Sequence, residues 1–80
     1  MTVKQFIGQY IANPHGTRKH GNVSQRNGTL YSYAQPICAV RDGKFHVHTG
    51  KWSVTTSRQQ TWLRAELAYR GYEPVMVDHI

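Results

Sequence analysis

Two histidines, His46 and His48, stand two residues apart in the strand-like stretch Lys44–His48. In a strand, both imidazoles project to one side, a spacing seen in metal sites. Such a site needs at least one or two more ligands, and only the distant His15 and His20 are obvious sources. Exposed strand histidines are the commoner explanation, so no metal and no cofactor is expected. Cys38 is the single cysteine. It can be read as a nucleophile, but between Ile37 and Ala39 it fits a small buried hydrophobe better. A leftover cysteine can also join two chains through an intermolecular disulfide. The four acids, Asp42, Glu66, Glu73 and Asp78, are spread apart and form no carboxylate pair for general acid–base work. Thr55-Thr56-Ser57-Arg58, at a helix start, has free N–H groups for an anion, although simple N-capping accounts for the same residues. The expectation is a protein that is not an enzyme.

What remains is charge beside aromatics. The 80 residues hold ten Lys or Arg against four Asp or Glu, a formal charge of +6, and all four acids follow residue 41. The first 41 residues carry Lys4, Arg18, Lys19, Arg26 and Arg41 with nothing to offset them. That balance favours anionic partners: phosphate backbones, acidic protein surfaces or, less readily, anionic lipid. The length allows one domain, residues 1–80. At 39 % hydrophobic, with nine aromatics, the chain should pack a core. One cysteine excludes an intramolecular disulfide framework. No apolar run nears the roughly 18 residues of a membrane span, and no signal-peptide h-region opens the chain. No membrane association is expected, and the expected setting is a reducing cytoplasm.

These side chains need elements to position them. Val3, Phe6, Ile7, Tyr10 and Ile11 make one helical stripe, with Thr2 and Gln5 at capping-box spacing and Asn13-Pro14 as the stop. His15 to Gly21 reads as a basic loop. Asn27-Gly28 and Asp42-Gly43 are two-residue turn signals, each flanked by β-branched and aromatic residues. Pro36 reads as the link between the two hairpins. A short Lys51–Val54 strand is expected next. A second helix then opens at Thr55-Thr56-Ser57, Thr56 and Gln59 having capping-box spacing, and runs through Arg70 to Gly71. Glu66 and Arg70 form an i, i+4 pair on it. Val75–Val77, after Pro74, reads as an edge strand. The expected fold is α+β: an antiparallel sheet of two hairpins, plus one or two short strands, packed against an N-terminal and a C-terminal helix.

A two-residue turn fixes register, and side chains alternate across a strand. Around Asp42-Gly43 the expected pairs are Arg41 with Lys44, Val40 with Phe45, Ala39 with His46, Cys38 with Val47, and Ile37 with His48. Around Asn27-Gly28 they are Arg26 with Thr29, Gln25 with Leu30, Ser24 with Tyr31, Val23 with Ser32, and Asn22 with Tyr33. With Val23, Leu30, Cys38 and Phe45 in the core, the other face gathers Arg26, Tyr31, Tyr33, Arg41, Lys44, His46 and His48. Arg18 and Lys19, in the loop, add to the basic surface. Bases interleaved with aromatics on an open sheet suit a nucleic-acid backbone with stacking bases, or an acidic protein patch. The plainer account is an ordinary solvated sheet face. Homodimerisation through the 75–77 edge or Cys38 is a further expectation for so small a domain.

Asn27-Gly28-Thr29-Leu30-Tyr31-Ser32-Tyr33, Pro36-Ile37 and Lys51-Trp52-Ser53-Val54-Thr55-Thr56-Ser57-Arg58-Gln59-Gln60 together resemble a family of small phage-type proteins. The resemblance covers about half the chain, with Ala34-Gln35 where Gly-Thr is usual and Cys38 where Ala is usual. Its motifs carry no assigned chemistry. The resemblance implies a phage context, in which small proteins often block host machinery in the host cytoplasm, as anti-CRISPR proteins do. The first functional expectation is therefore a non-enzymatic inhibitor of a host protein or nucleoprotein complex, such as a CRISPR effector. The alternative is a direct nucleic-acid-binding phage protein.

Overall fold

The computed structural model describes residues 1–50 and 53–80. Its elements are α1 (Val3–Ala12), β1 (Arg18–His20), β2 (Val23–Arg26), β3 (Thr29–Ser32), β4 (Gln35–Arg41), β5 (Lys44–His48), α2 (Val54–Tyr69) and β6 (Val75–Val77). The strands form one sheet in chain order, β1 to β5 as an antiparallel meander and β6 parallel to β5. The fold is thus α+β, with a helix near each end of the chain.

The register around Asn27-Gly28 holds, and that around Asp42-Gly43 holds from Cys38 to Val47 but not at Ile37. Val23 faces Ser32 and Gln25 faces Leu30 across β2–β3, while Cys38 faces Val47 and Arg41 faces Lys44 across β4–β5. Asn27 and Asp42 take left-handed φ values of 52° and 54°, each before a glycine that does the same, as these turns require. The α1 stripe enters the core as its spacing predicts: Phe6, Ile7, Tyr10 and Ile11 pack with Val23, Leu30, Cys38, Phe45, Val47, Leu63 and Leu67. Both helices therefore cover one face of the sheet and leave the other open. Thr2 and Gln5 form the capping box at the start of α1.

Five expectations change. The basic loop contains β1, because Arg18, Lys19 and His20 pair with Gln25, Ser24 and Val23. The hairpins are joined by a tight turn at Tyr33-Ala34, with Ser32 facing Gln35, so Pro36 lies inside β4 opposite Tyr31. Ile37 is the extra residue where the register shifts between Leu30 and Tyr31. It does not pair with His48; the bulge sends it into the core beside Cys38. Ser53, not Thr56, caps α2, its hydroxyl accepting from the Thr56 N–H at 3.1 Å. Of the expected Lys51–Val54 strand, residues 51 and 52 lie outside the described residues, and Val54 begins the helix.

Polar staples fix the sheet to the helices from the covered side. Gln25, fully buried, donates its amide to the carbonyls of Asn13, Pro14 and Gly16, which closes the loop between α1 and β1. The Tyr10 hydroxyl donates to the Gly28 carbonyl at 2.7 Å, and the same oxygen accepts the Val40 N–H. The hydroxyls of Ser32 and Thr56 lie 3.0 Å apart, and Ser53 donates to Thr56. Gln59 donates to the Asn22 side chain, and Gln60 to the carbonyls of His48 and Gly50. These bonds specify one arrangement of core and helix, although the amide oxygens of Gln25 and Gln59 are buried without a partner among the described residues.

Candidate functional site

The open face is laid out by facing pairs, since residues opposite one another share a side. One row crosses β1 to β4 through Lys19, Ser24, Tyr31 and Pro36. The next crosses β2 to β6 through Arg26, Thr29, Ala39, His46 and Val75. Arg41 and Lys44 face each other at the tip of β4–β5, and His48 faces Val77. Ala39 is only 3 % exposed at the middle of this face.

The expected site residues thus divide into two groups. At the β1–β3 end, Arg18, Lys19, Arg26, Tyr31 and Tyr33 line a surface groove of about 600 Å³, together with Thr17, Ser24, Gln25 and Ala34. No acidic residue lines it. A second concavity of about 380 Å³ is lined by Gly21, Asn22 and again Lys19, Ser24 and Tyr33. Tyr33 therefore borders both. The residue is 60 % exposed and its backbone sits at φ 57°, a region uncommon for a bulky residue. The Tyr33 N–H donates to the Asn22 carbonyl, which holds the turn in place.

The second group, Arg41, Lys44, His46 and His48, lies on the β4–β5 part of the same face. His48 is committed to the fold, since its Nδ1 accepts the Gly50 N–H at 2.7 Å. Nδ1 must then be unprotonated, which leaves any ring proton on Nε2. Among the described residues, no group of three or more His, Cys, Asp or Glu side chains comes together in a way that could hold a metal ion.

Arg18 also lines the groove, although its side chain is directed elsewhere. It faces the core residue Gln25, so its side chain lies on the helix side, with the guanidinium 5.4 Å from the centre of the Phe6 ring. His20, two residues on, stacks on Phe6 from the same side. Arg18 cannot be assigned to a face while residues 18–20 are read as a loop; pairing with β2 decides it.

Cys38 is fully buried, and burial pushes its thiol up to about 12 despite a hydrogen bond with Tyr10 that pulls the other way. Burial also raises the Tyr10 phenol, with Cys38 adding to the effect. A thiol so placed is neither a nucleophile at neutral pH nor within reach of a second chain while the sheet is intact. Glu66 and Arg70 form the expected pair at 2.9 Å on the exposed side of α2. Among the described residues, no helix is long and apolar enough to cross a membrane.

Fold and site together define a small α+β domain with one sheet face sealed by helices and the other basic, aromatic and open. The chain belongs to DUF8033, a family of unknown function, whose model matches residues 2–72. No curated protein and no solved structure matches it.

Proposed function

We propose that this is a non-catalytic binding protein that takes hold of nucleic acid through its open sheet face. The observation that carries the reading is the acid-free groove at the β1–β3 end, where Lys19 and Arg26 flank Tyr31 and Tyr33. Neither base has an ion-pair partner among the described residues. Phosphates satisfy such cations and release condensed counterions as they bind, which supplies most of the affinity of nucleic-acid binders of this kind. Tyrosines beside the cations offer stacking surfaces in the same footprint. The test is a gel-shift series in increasing salt. A steep fall in affinity, with a log–log slope of roughly −0.7 to −0.9 per neutralised phosphate, supports the reading. Undetectable binding at low salt removes it.

A second reading rests on the other half of the face. Arg41 and Lys44 sit side by side there, outside the groove, as a like-charged pair that an acidic surface would offset. In that reading, which the phage-type resemblance supports, the protein is a phage-encoded inhibitor working in the host cytoplasm. It would dock on a host nucleoprotein complex such as a CRISPR effector. Affinity purification from nuclease-treated host extract tests it. A stoichiometric complex lost with Arg41→Gln and Lys44→Gln supports inhibition, and recovery of no such complex counts against it.

A further inference from the structure

The groove narrows the form of nucleic acid, on the footing of the nucleic-acid reading above. Duplex DNA keeps its bases stacked inside and shows only their edges, which proteins read by inserting a helix or a β-ribbon into a groove about 12 Å wide. Here both helices are packed against the covered face, and the feature at the β1–β3 corner is concave. Its volume of about 600 Å³ falls within the roughly 300–1,000 Å³ of small-molecule sites. An open depression of this kind offers its tyrosines to unstacked bases, whose faces the stacked interior of a duplex does not present.

The aromatic placement agrees. Tyr31 stands in the row between Ser24 and Pro36 and lines the groove. Tyr33 stands at its end, exposed, between this groove and the second concavity. A bulky side chain at φ 57° is strained, and among the described residues Tyr33 has no ring stacking to offset it. Lys19 lines both concavities, so one cation lies along the whole path, and Arg26 flanks the first.

We propose that the β1–β3 corner binds single-stranded nucleic acid, with one base stacked on Tyr31 in the main groove and another on Tyr33 at its edge. Lys19 and Arg26 hold the phosphates between them. The strand runs from the main groove past Tyr33 into the smaller concavity.

Fluorescence anisotropy with the full chain tests this, using labelled oligo-dT and oligo-U of about 12 nucleotides, within the roughly 4–16 that a small single-strand site covers. A duplex of equal length and an unlabelled polyglutamate competitor complete the set. Tyr33→Asn removes the ring while suiting the left-handed backbone, and Tyr31→Thr keeps a strand-forming residue, so both variants should fold; circular dichroism checks that they do. Each is expected to weaken single-strand binding roughly 5- to 150-fold, the range that stacking of one base implies, and Tyr33→Phe to restore most of it. Tighter binding of oligo-U or of oligo-dT identifies the natural strand and supports the proposal in either case. Equal or tighter binding of the duplex overturns the proposal. So does unchanged affinity in both tyrosine variants while Lys19→Gln and Arg26→Gln weaken binding; nucleic-acid binding would then stand without the stacked strand. Displacement by polyglutamate as effective as by unlabelled oligonucleotide overturns it in favour of an acidic protein partner. No binding of any oligonucleotide at low salt overturns it together with the nucleic-acid reading.

Discussion

The two ends of the open face obey the same alternation rule, yet they offer a partner different things. At the β1–β3 end, Lys19 and Arg26 sit beside two tyrosines around a concavity without acids. At the β4–β6 end, Arg41 and Lys44 flank a turn that contains Asp42, His48 is tied to Gly50, and Val75 and Val77 are half-buried beside the histidines. Counting charges along the chain makes both ends look alike. The difference comes from what surrounds each cation: at one end Lys44 shares a concavity of about 660 Å³ with Glu73 and His48 is a committed imidazole, while at the other the groove holds no acid and places its cations beside Tyr31 and Tyr33. A basic surface becomes a specific one where geometry keeps acids away from its cations and gives them aromatic company.

The covered side treats both ends as one body, and the largest expected effects lie there. Leu30→Ala beneath the grooved end and Phe45→Ala beneath the other should each cost about 2–5 kcal/mol in denaturant unfolding, with one transition in each case. Separate transitions would split the face into independent units. Next in size is the alkaline response. Cys38 ionises near 9.0 when unfolded and is held protonated to about 12 when folded, so the folded chain binds the proton more tightly. Its stabilisation is complete below pH ~9 and is lost as the pH rises towards 12, by at most about 1.4 kcal/mol per pH unit. The raised Tyr10 phenol acts in the same direction. Melting temperature measured from pH 8 upward should fall for the native chain and fall less for Cys38→Ala.

Smaller effects separate the two ends directly. Arg26→Gln should flatten the salt dependence of single-strand binding by about 0.7 in log–log slope, whereas Lys44→Gln should leave the slope unchanged. Equal changes in both would erase the distinction between the ends. Smallest of all, Lys44→Thr removes a like charge facing Arg41 and should raise stability by a few tenths of a kcal/mol, read as a shift in unfolding midpoint.

Much of this was legible in the sequence wherever a local signal was strong. Asn27-Gly28 and Asp42-Gly43 set the pairings that put Arg26, Tyr31, Arg41, Lys44 and His46 on one face. The Tyr33-Ala34 turn escaped notice because neither residue is a usual turn former and the left-handed conformation falls on a tyrosine. Ile37 inserts as a bulge, and no periodicity announces an extra residue. Residues 18–20 are polar and too short to show alternation; they become a strand only because β2 offers them an edge. The groove depends on that strand, on Lys19 within it and on Tyr33, so its shape required the tertiary structure. The stretch from Ser53 to Gln60 has a distinctive composition for reasons of architecture, since Ser53, Thr56, Gln59 and Gln60 staple α2 to the sheet and its loops.

Backbone amide shifts of the labelled protein, followed by NMR as a short single-stranded oligonucleotide is added, test the central claim most directly. Changes concentrated at Lys19, Ser24, Arg26, Tyr31 and Tyr33, with Arg41, Lys44, His46 and His48 nearly still, are the expected result. Changes centred on Arg41 and Lys44, or spread evenly over both ends of the face, would contradict it.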